Sequence, residues 1–145
     1  IVSGLTIMSG YVADEENTKK VLKDGKIYSA DLGYVDENGL IHLKGRLGDV
    51  INVGGFKIDP SEVENAASSH ESVKDCICIA GTHPVIGTVL KLLVVLKDGK
   101  ELDKKSIAVH IKSRLEPHKV PTYYEAVESI QRTYNGKLDR KYYKK

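Results

Sequence analysis

The chain has 145 residues, close to the length of one domain. Its 22 basic and 20 acidic side chains leave a formal charge of +2, which excludes the strongly basic surface of a typical nucleic-acid-binding protein. Two cysteines are too few for a disulfide scaffold, and the longest apolar run, residues 92–96, is too short to cross a bilayer. With no signal segment after Ile1, we expect a cytoplasmic protein.

The first third of the chain has the pattern of short strands joined by tight turns. Asp24-Gly25 and Asn38-Gly39 are typical turn dipeptides, because glycine accepts the positive φ that hairpin turns require. The predicted elements are a strand at residues 5–8, one or two helical turns at residues 14–22, and a β-hairpin formed by residues 27–35 and 40–44.

Two helices with clear start signals are predicted further along the chain. Asp59 provides an N-cap, Pro60 the first helical position and Glu62 an acid in the first turn, so a helix should run to about Ser69. Asp103 caps a second helix, which Pro117 should end. Strands are predicted at residues 73–80, 88–97 and 123–127. The pattern indicates an α+β fold, with short helices packed on a small mixed or antiparallel sheet.

Three segments carry polar and glycine residues in patterns that suggest a binding site. They contain Asp31, the glycines Gly54 and Gly55, and Lys137. Each has a plain structural interpretation when taken alone: Asp31 can open a turn, the two glycines can form a hairpin turn, and Lys137 can be a solvated cation. The order of the three along the chain favours a functional interpretation.

Taken together, the segments resemble the C-terminal part of the adenylate-forming superfamily of acyl-CoA synthetases, luciferase-like ligases and peptide-synthetase adenylation domains. Asp31 follows Ser29-Ala30, which is similar to the family's Thr-Gly-Asp. Gly45-Arg46 is similar to the Gly-Arg that opens the family's mobile lid. Residues 54–64 match its GG-x-x-I-x-P-x-E-V-E element, and Gly136-Lys137 with Arg140 matches its closing signature.

This resemblance implies a division into two parts. Residues 1–46 would be the β-hairpin-rich end of the large adenylation domain, and residues 47–145 the C-terminal lid domain. The family's phosphate-gripping loop and acyl pocket have no counterpart in the sequence. We therefore expect a fragment that is inactive alone and that meets its carboxylic acid, ATP and coenzyme A through the missing large domain.

The implied activity is that of an ATP-dependent acid–thiol ligase. Such an enzyme activates a carboxylic acid, here expected to be a fatty acid, as acyl-AMP and transfers the acyl group to coenzyme A, with Mg²⁺ as a further cofactor. The resemblance makes Lys137 the adenylation lysine, because an ammonium offsets the negative charge that develops when the carboxylate attacks the α-phosphate. It implies that Asp31 and Arg46 contact the nucleotide ribose.

The resemblance also assigns residues to the second half-reaction. Gly54 and Gly55 would form the loop that faces coenzyme A, with Lys57 near its phosphates. Gly48 occupies the family's hinge position, where a glycine predicts free rotation without control by a side chain.

The sequence is also compatible with two other functions. The chain could belong to an adenylation domain that loads a carrier-protein thiol, or to a non-catalytic binding module that retains the lid fold. Cys76 and Cys78 are expected to be core residues, no histidine is given a role, and no metal site is predicted. The basic tail from Arg140 is expected to be solvated and not to bind nucleic acid. Strand edges within residues 1–46 are expected to favour self-association.

Overall fold

The structure, a computed structural model, describes residues 1–144 apart from the side chain of Lys44. Within this part of the chain the fold is α+β, as the sequence predicts. The helices are α1 Glu15–Val21, α2 Pro60–Ser68, α3 Lys104–Lys112 and α4 Arg140–Tyr143, and Leu47–Asp49 and Pro117–Lys119 form 3₁₀ turns. The strands are β1 Leu22–Lys23, β2 Lys26–Ile27, β3 Asp31–Val35, β4 Ile41–Arg46, β5 Ile51–Val53, β6 Phe56–Ile58, β7 Val73–His83, β8 Gly87–Leu96 and β9 Tyr123–Ala126.

Residues 1–50 consist of local hairpins and one short helix. The tight turns predicted at Asp24-Gly25 and Asn38-Gly39 join β1 to β2 and β3 to β4. The strand predicted at residues 5–8 is wrong: Leu5 lies in a turn, and it is Val2 that forms a bridge, to Ile27. A strand needs a partner for its backbone groups, and an apolar sequence alone does not supply one.

Helices α2 and α3 begin where the capping residues predict. The carboxylate of Asp59 accepts a hydrogen bond from the Ser61 N–H at 2.9 Å, and that of Asp103 accepts one from the Ser106 N–H at 3.0 Å. Helix α3 ends at Lys112, earlier than expected, and Pro117 instead begins a 3₁₀ turn.

A three-stranded mixed sheet is the centre of the fold. Strand β8 pairs with β7 in antiparallel and with β9 in parallel orientation. Both faces of the sheet are covered: Cys76 and Cys78 pack in one hydrophobic cluster with α2 and α3, whereas Ile77 and Leu93 pack in a second cluster with Ile130. The prediction that the two cysteines are core residues is confirmed.

Candidate functional site

The β3–β4 hairpin places two of the predicted site residues opposite each other. Asp31 begins β3, Arg46 ends β4, and the two are partners in the strand register. The Nε of Arg46 donates to Oδ1 of Asp31 at 3.2 Å. The side chains are 62% and 38% exposed respectively, so solvent and ligands can reach both members of the pair.

A close approach between the two strands requires glycine next to this pair. The register shifts between Leu32 and Gly33, and a Cβ at Gly33 would lie 2.7 Å from the backbone oxygen of His42. Such an irregularity changes the direction of the strand and of the side chains at its end. The hairpin thereby presents Asp31 and Arg46 at its open end.

Lys137 lies in a second, smaller hairpin near the end of the chain. The Gly136 N–H donates to the Thr133 carbonyl at 2.8 Å, and the Thr133 N–H donates to the Lys137 carbonyl at 2.8 Å. Gly136 has a φ of +81°, a left-handed conformation that favours glycine at this turn. We call residues 131–139 the lysine hairpin.

The ammonium of Lys137 is exposed, and it makes no ion pair or hydrogen bond with any residue that the structure describes. Lys137 and Arg46 line the same open cavity of about 830 Å³, together with Asp49, Ser61, Glu64 and residues of the lysine hairpin. The structure therefore brings the predicted adenylation lysine and Arg46 to one cleft, which we call the nucleotide-side cleft. Asp31 does not line this cleft and is connected to it through its hydrogen bond with Arg46.

The floor of this cleft contains a buried ion pair. Arg140 donates through Nη1 and Nη2 to the two carboxylate oxygens of Glu64 at 2.7 and 2.6 Å, and its Nε lies 3.3 Å from Oδ2 of Asp49. The expectation of a solvated tail is therefore wrong at Arg140, whose side chain is only 15% exposed. The carboxylate of Glu64 attracts it inward, since a buried charge requires a partner.

Burial and ion pairing shift the pKa values of Glu64 and Arg140 in opposite directions. Burial raises the pKa of the Glu64 carboxyl, against the effect of the Arg140 guanidinium. Burial also disfavours the charged guanidinium, but its hydrogen bonds to Glu64, together with the attraction of the Glu64 and Asp49 charges, outweigh that cost and raise the pKa of Arg140. The N–H of Cys78 donates to Glu64 at 2.8 Å, which ties the pair to the central sheet.

The residues predicted to face coenzyme A lie elsewhere. Gly54 and Gly55 connect β5 to β6, and their φ values of +56° and +90° are those of a type I′ turn. No atom comes within 4 Å of a Cβ built on either residue. This turn therefore presents bare, accessible backbone.

Lys57 lines a separate cavity of about 640 Å³, which we call the thiol-side cleft. Lys119 lines it too, and its ammonium is held by Glu62 at 2.5 Å and by Glu116 at 3.0 Å. The hydrogen bond to Glu62 raises the pKa of Lys119. Lys57 and Lys137 thus line two different cavities.

Gly48 lies in the 3₁₀ turn between β4 and β5, at the junction of the two predicted domains. No atom approaches a Cβ built at this position. Its carbonyl accepts a hydrogen bond from Nζ of Lys144 at 2.7 Å.

The remaining polar residues in the interior have structural roles. Burial raises the pKa of the Cys76 thiol to about 11 and raises that of Cys78 as well, so both thiols are protonated at neutral pH.

In residues 1–144, no three side chains of the His, Cys, Asp and Glu types gather in a way that suits a metal ion. None of the helices in that range is long and apolar enough to span a membrane.

Sequence patterns did not assign a role to three of the residues that shape the site. Glu64 closes the matched element of residues 54–64, but its pairing with Arg140, 76 positions away, was not predicted. The pairing of Asp75 with Arg132, 57 positions away, was not predicted either. Pairings at this separation leave no local signal in the sequence.

The chain is similar in sequence and in fold to several known enzymes. The chain is 37% identical over 141 residues to a long-chain-fatty-acid–CoA ligase of Bacillus subtilis, covering 97% of this chain and 25% of the ligase. It superimposes on o-succinylbenzoate CoA synthetase of B. subtilis in complex with the acyl-adenylate intermediate (TM-score 0.89, 27% identity, 99% of this chain and 29% of that one). It also superimposes on an amide bond synthetase of Marinactinospora thermotolerans (TM-score 0.81, 32% identity, 94% and 28%).

The chain spans about a quarter of the length of the curated relatives that it matches. These relatives are acyl-CoA synthetases and CoA ligases. Residues 62–137, more than half of the chain, match the AMP-binding enzyme C-terminal domain. The chain belongs to this family.

Proposed function

We propose that the chain is the C-terminal part of an ATP-dependent acid–thiol ligase, in which it supplies the adenylation lysine and part of the nucleotide site. The observation that carries the proposal is the nucleotide-side cleft. There an unpaired ammonium, Lys137, shares one cavity with Arg46, which is itself bonded to Asp31. A cation beside a carboxylate–guanidinium pair suits a ligand with both a phosphate and a ribose.

Each residue has a distinct chemical role in this proposal. The Asp31 carboxylate accepts hydrogen bonds from the ribose hydroxyls, and the Arg46 guanidinium donates to the same region. The Lys137 ammonium stabilises the charge that develops at the α-phosphate as the carboxylate of the acid attacks. Bound ATP would supply the adenylyl group, with pyrophosphate as the leaving group, and Mg²⁺ would accompany its phosphates.

The two clefts fit two half-reactions. In our proposal the nucleotide-side cleft serves formation of the acyl-AMP, and the Gly54-Gly55 turn with Lys57 serves transfer to coenzyme A. Residues 1–46 would belong to the large domain and residues 47–145 to the lid, with rotation at Gly48 presenting one cleft or the other. The name of the B. subtilis ligase supports a fatty acid as the substrate.

The test is to separate the half-reactions in the full-length protein that contains this chain. We expect Lys137→Ala to slow ATP–pyrophosphate exchange by about 100-fold or more, because it removes a group that acts in the transition state. Thioester formation from supplied acyl-AMP should be unchanged. Lys112→Ala, which removes an exposed lysine of α3 outside the cleft, is the matched control.

Equal losses in both half-reactions, or normal exchange in Lys137→Ala, would contradict the role of Lys137. Absence of exchange in the unsubstituted full-length protein would contradict the proposed function. The acceptor is tested in the same assay. Transfer to a carrier-protein thiol and not to coenzyme A would favour a carrier-loading adenylation domain. Binding of nucleotide without exchange would favour a non-catalytic module.

A further inference from the structure

The position of Lys137 depends on a neighbouring arginine. Arg132 lies on the first strand of the lysine hairpin, where it forms an isolated bridge with Leu138 on the second strand. Its Nη1 donates to the carbonyl of Gly136 at 2.9 Å, and its Nη2 donates to Oδ2 of Asp75 at 2.6 Å. One guanidinium therefore joins the peptide unit that precedes Lys137 to the central sheet.

Asp75 is presented to Arg132 by an irregularity in β7. The register of β7 with β8 shifts between Val73 and Asp75, and such a bulge turns a side chain away from its regular direction. The other carboxylate oxygen of Asp75 accepts from the Cys76 N–H at 2.9 Å. The carboxylate is therefore fixed on the strand before it meets Arg132.

The second strand of the lysine hairpin is held by apolar contact through Leu138. Leu138 packs against the second hydrophobic cluster of Ile77, Leu93 and Ile130. With Leu138 packed and Arg132 bonded, the hairpin is fixed on both sides of Lys137, while the lysine side chain itself stays unbonded. A rigid backbone under a free ammonium limits where the charge can reach.

We propose that Arg132, fixed by Asp75, is a positioning residue for the adenylation step. It holds the Gly136 carbonyl and so sets the direction from which Lys137 enters the nucleotide-side cleft. This inference rests on the proposed function of Lys137. Arginine suits this position because its planar fork donates to the two acceptors from two different nitrogens, an arrangement that the single nitrogen of a lysine does not reproduce.

The test uses the full-length protein that contains this chain and measures both half-reactions. Arg132→Lys should lower kcat of ATP–pyrophosphate exchange by about 10- to 100-fold, because a small displacement of a catalytic group is costly. Thioester formation from supplied acyl-AMP, and KM for ATP, should stay within about twofold of the unsubstituted enzyme, because positioning acts in the transition state. Asp75→Asn should cause a smaller loss of about 3- to 10-fold, because the arginine loses a charge-assisted hydrogen bond.

Glu125→Gln is the matched control. It removes the carboxylate of another ion pair on the same sheet, Lys91 with Glu125 at 2.5 Å, and should leave exchange unchanged. Amide hydrogen exchange of this chain gives a second measurement: Arg132→Lys should speed exchange at Thr133 and Gly136, whose N–H groups are hydrogen-bonded within the lysine hairpin, but not in β7 or β8. General acceleration would show a structural role and overturn the proposal.

The outcomes separate the two hypotheses. Loss of exchange in Lys137→Ala with normal exchange in Arg132→Lys would overturn the positioning role alone. Normal exchange in Lys137→Ala would overturn the function of the lysine and the positioning role with it. Equal losses of both half-reactions in Arg132→Lys would also overturn the positioning role.

Discussion

Residues 1–50 and residues 51–144 hold their shape in different ways. No described side chain of the first region is buried, and its hairpins depend on local backbone hydrogen bonds. The second region encloses both hydrophobic clusters and the buried pair of Glu64 with Arg140. Yet the proposed site takes Asp31 and Arg46 from the first region and Lys137 from the second.

The difference shows that hydrogen-bonded geometry is enough to position site residues at the surface. The Asp31–Arg46 pair needs only the register of one hairpin. Lys137 is held by a turn that contacts the core through Leu138. Stability and function therefore depend on different residues, which can be tested by substitution.

The largest effect is expected from a core substitution. Leu92 is fully buried in the first cluster, so Leu92→Ala should lower the free energy of unfolding by about 3–5 kcal/mol through lost burial and cavity formation. Ile41→Ala in β4, at a side chain that is 74% exposed, should change it by less than about 0.5 kcal/mol. Urea denaturation of this chain measures both. Similar losses at the two positions would remove the contrast between the regions.

A somewhat smaller effect is expected at the buried ion pair. Arg140→Ala leaves the Glu64 carboxylate without its partner, which should cost about 3 kcal/mol in urea denaturation. Arg140→Met with Glu64→Gln, which removes both charges, should recover much of that loss. A double variant as unstable as the single one would mean that the charges themselves do not cause the effect.

Alkaline pH should weaken the second region through its thiols. The pKa of Cys76 is near 9 when the chain is unfolded and about 11 when folded. The folded state thus binds more protons between these values, and stability that is complete below pH 9 is lost as the pH rises through 11. The rise in the pKa from about 9 to about 11 corresponds to an expected loss from Cys76 of about 3 kcal/mol. Cys76→Ala should make the pH profile of unfolding shallower, and an unchanged profile would contradict this assignment.

The smallest effect on stability is expected at the site pair. Arg46→Ala should change the free energy of unfolding by less than about 1 kcal/mol, because exposed ion pairs contribute little. In the full-length protein the same substitution should weaken nucleotide binding, as measured by titration calorimetry. A large loss of stability with unchanged nucleotide binding would show that Arg46 has a structural role and does not contact the nucleotide.

Local signals predicted much of the fold. Asp59 with Pro60, and Asp103, marked the starts of α2 and α3 because a cap is a property of a few adjacent residues. The turn at Asn38-Gly39 followed from the backbone that glycine permits. The strand at residues 5–8 failed because strand pairing depends on a partner that is distant in sequence.

The site was predicted less completely for the same reason. Asp31, Arg46 and Lys137 could be singled out by motif, but the meeting of Arg46 and Lys137 in one cleft depends on the tertiary fold. The pairing of Arg140 with Glu64 crosses 76 positions, and that of Arg132 with Asp75 crosses 57. Composition placed Arg140 in a basic tail, whereas the structure uses it as an interior charge.

The contacts of Asp49, which lies just before the second region, join the end of that region to its start. Asp49 accepts from Lys144, 95 positions away, and Lys144 also donates to the carbonyl of Gly48. Residues 49–144 therefore form a nearly closed ring of chain whose two ends meet at the proposed hinge. A circular permutant that joins residue 144 to residue 49 by a short linker and opens at the exposed turn of residues 84–86 should retain the fold.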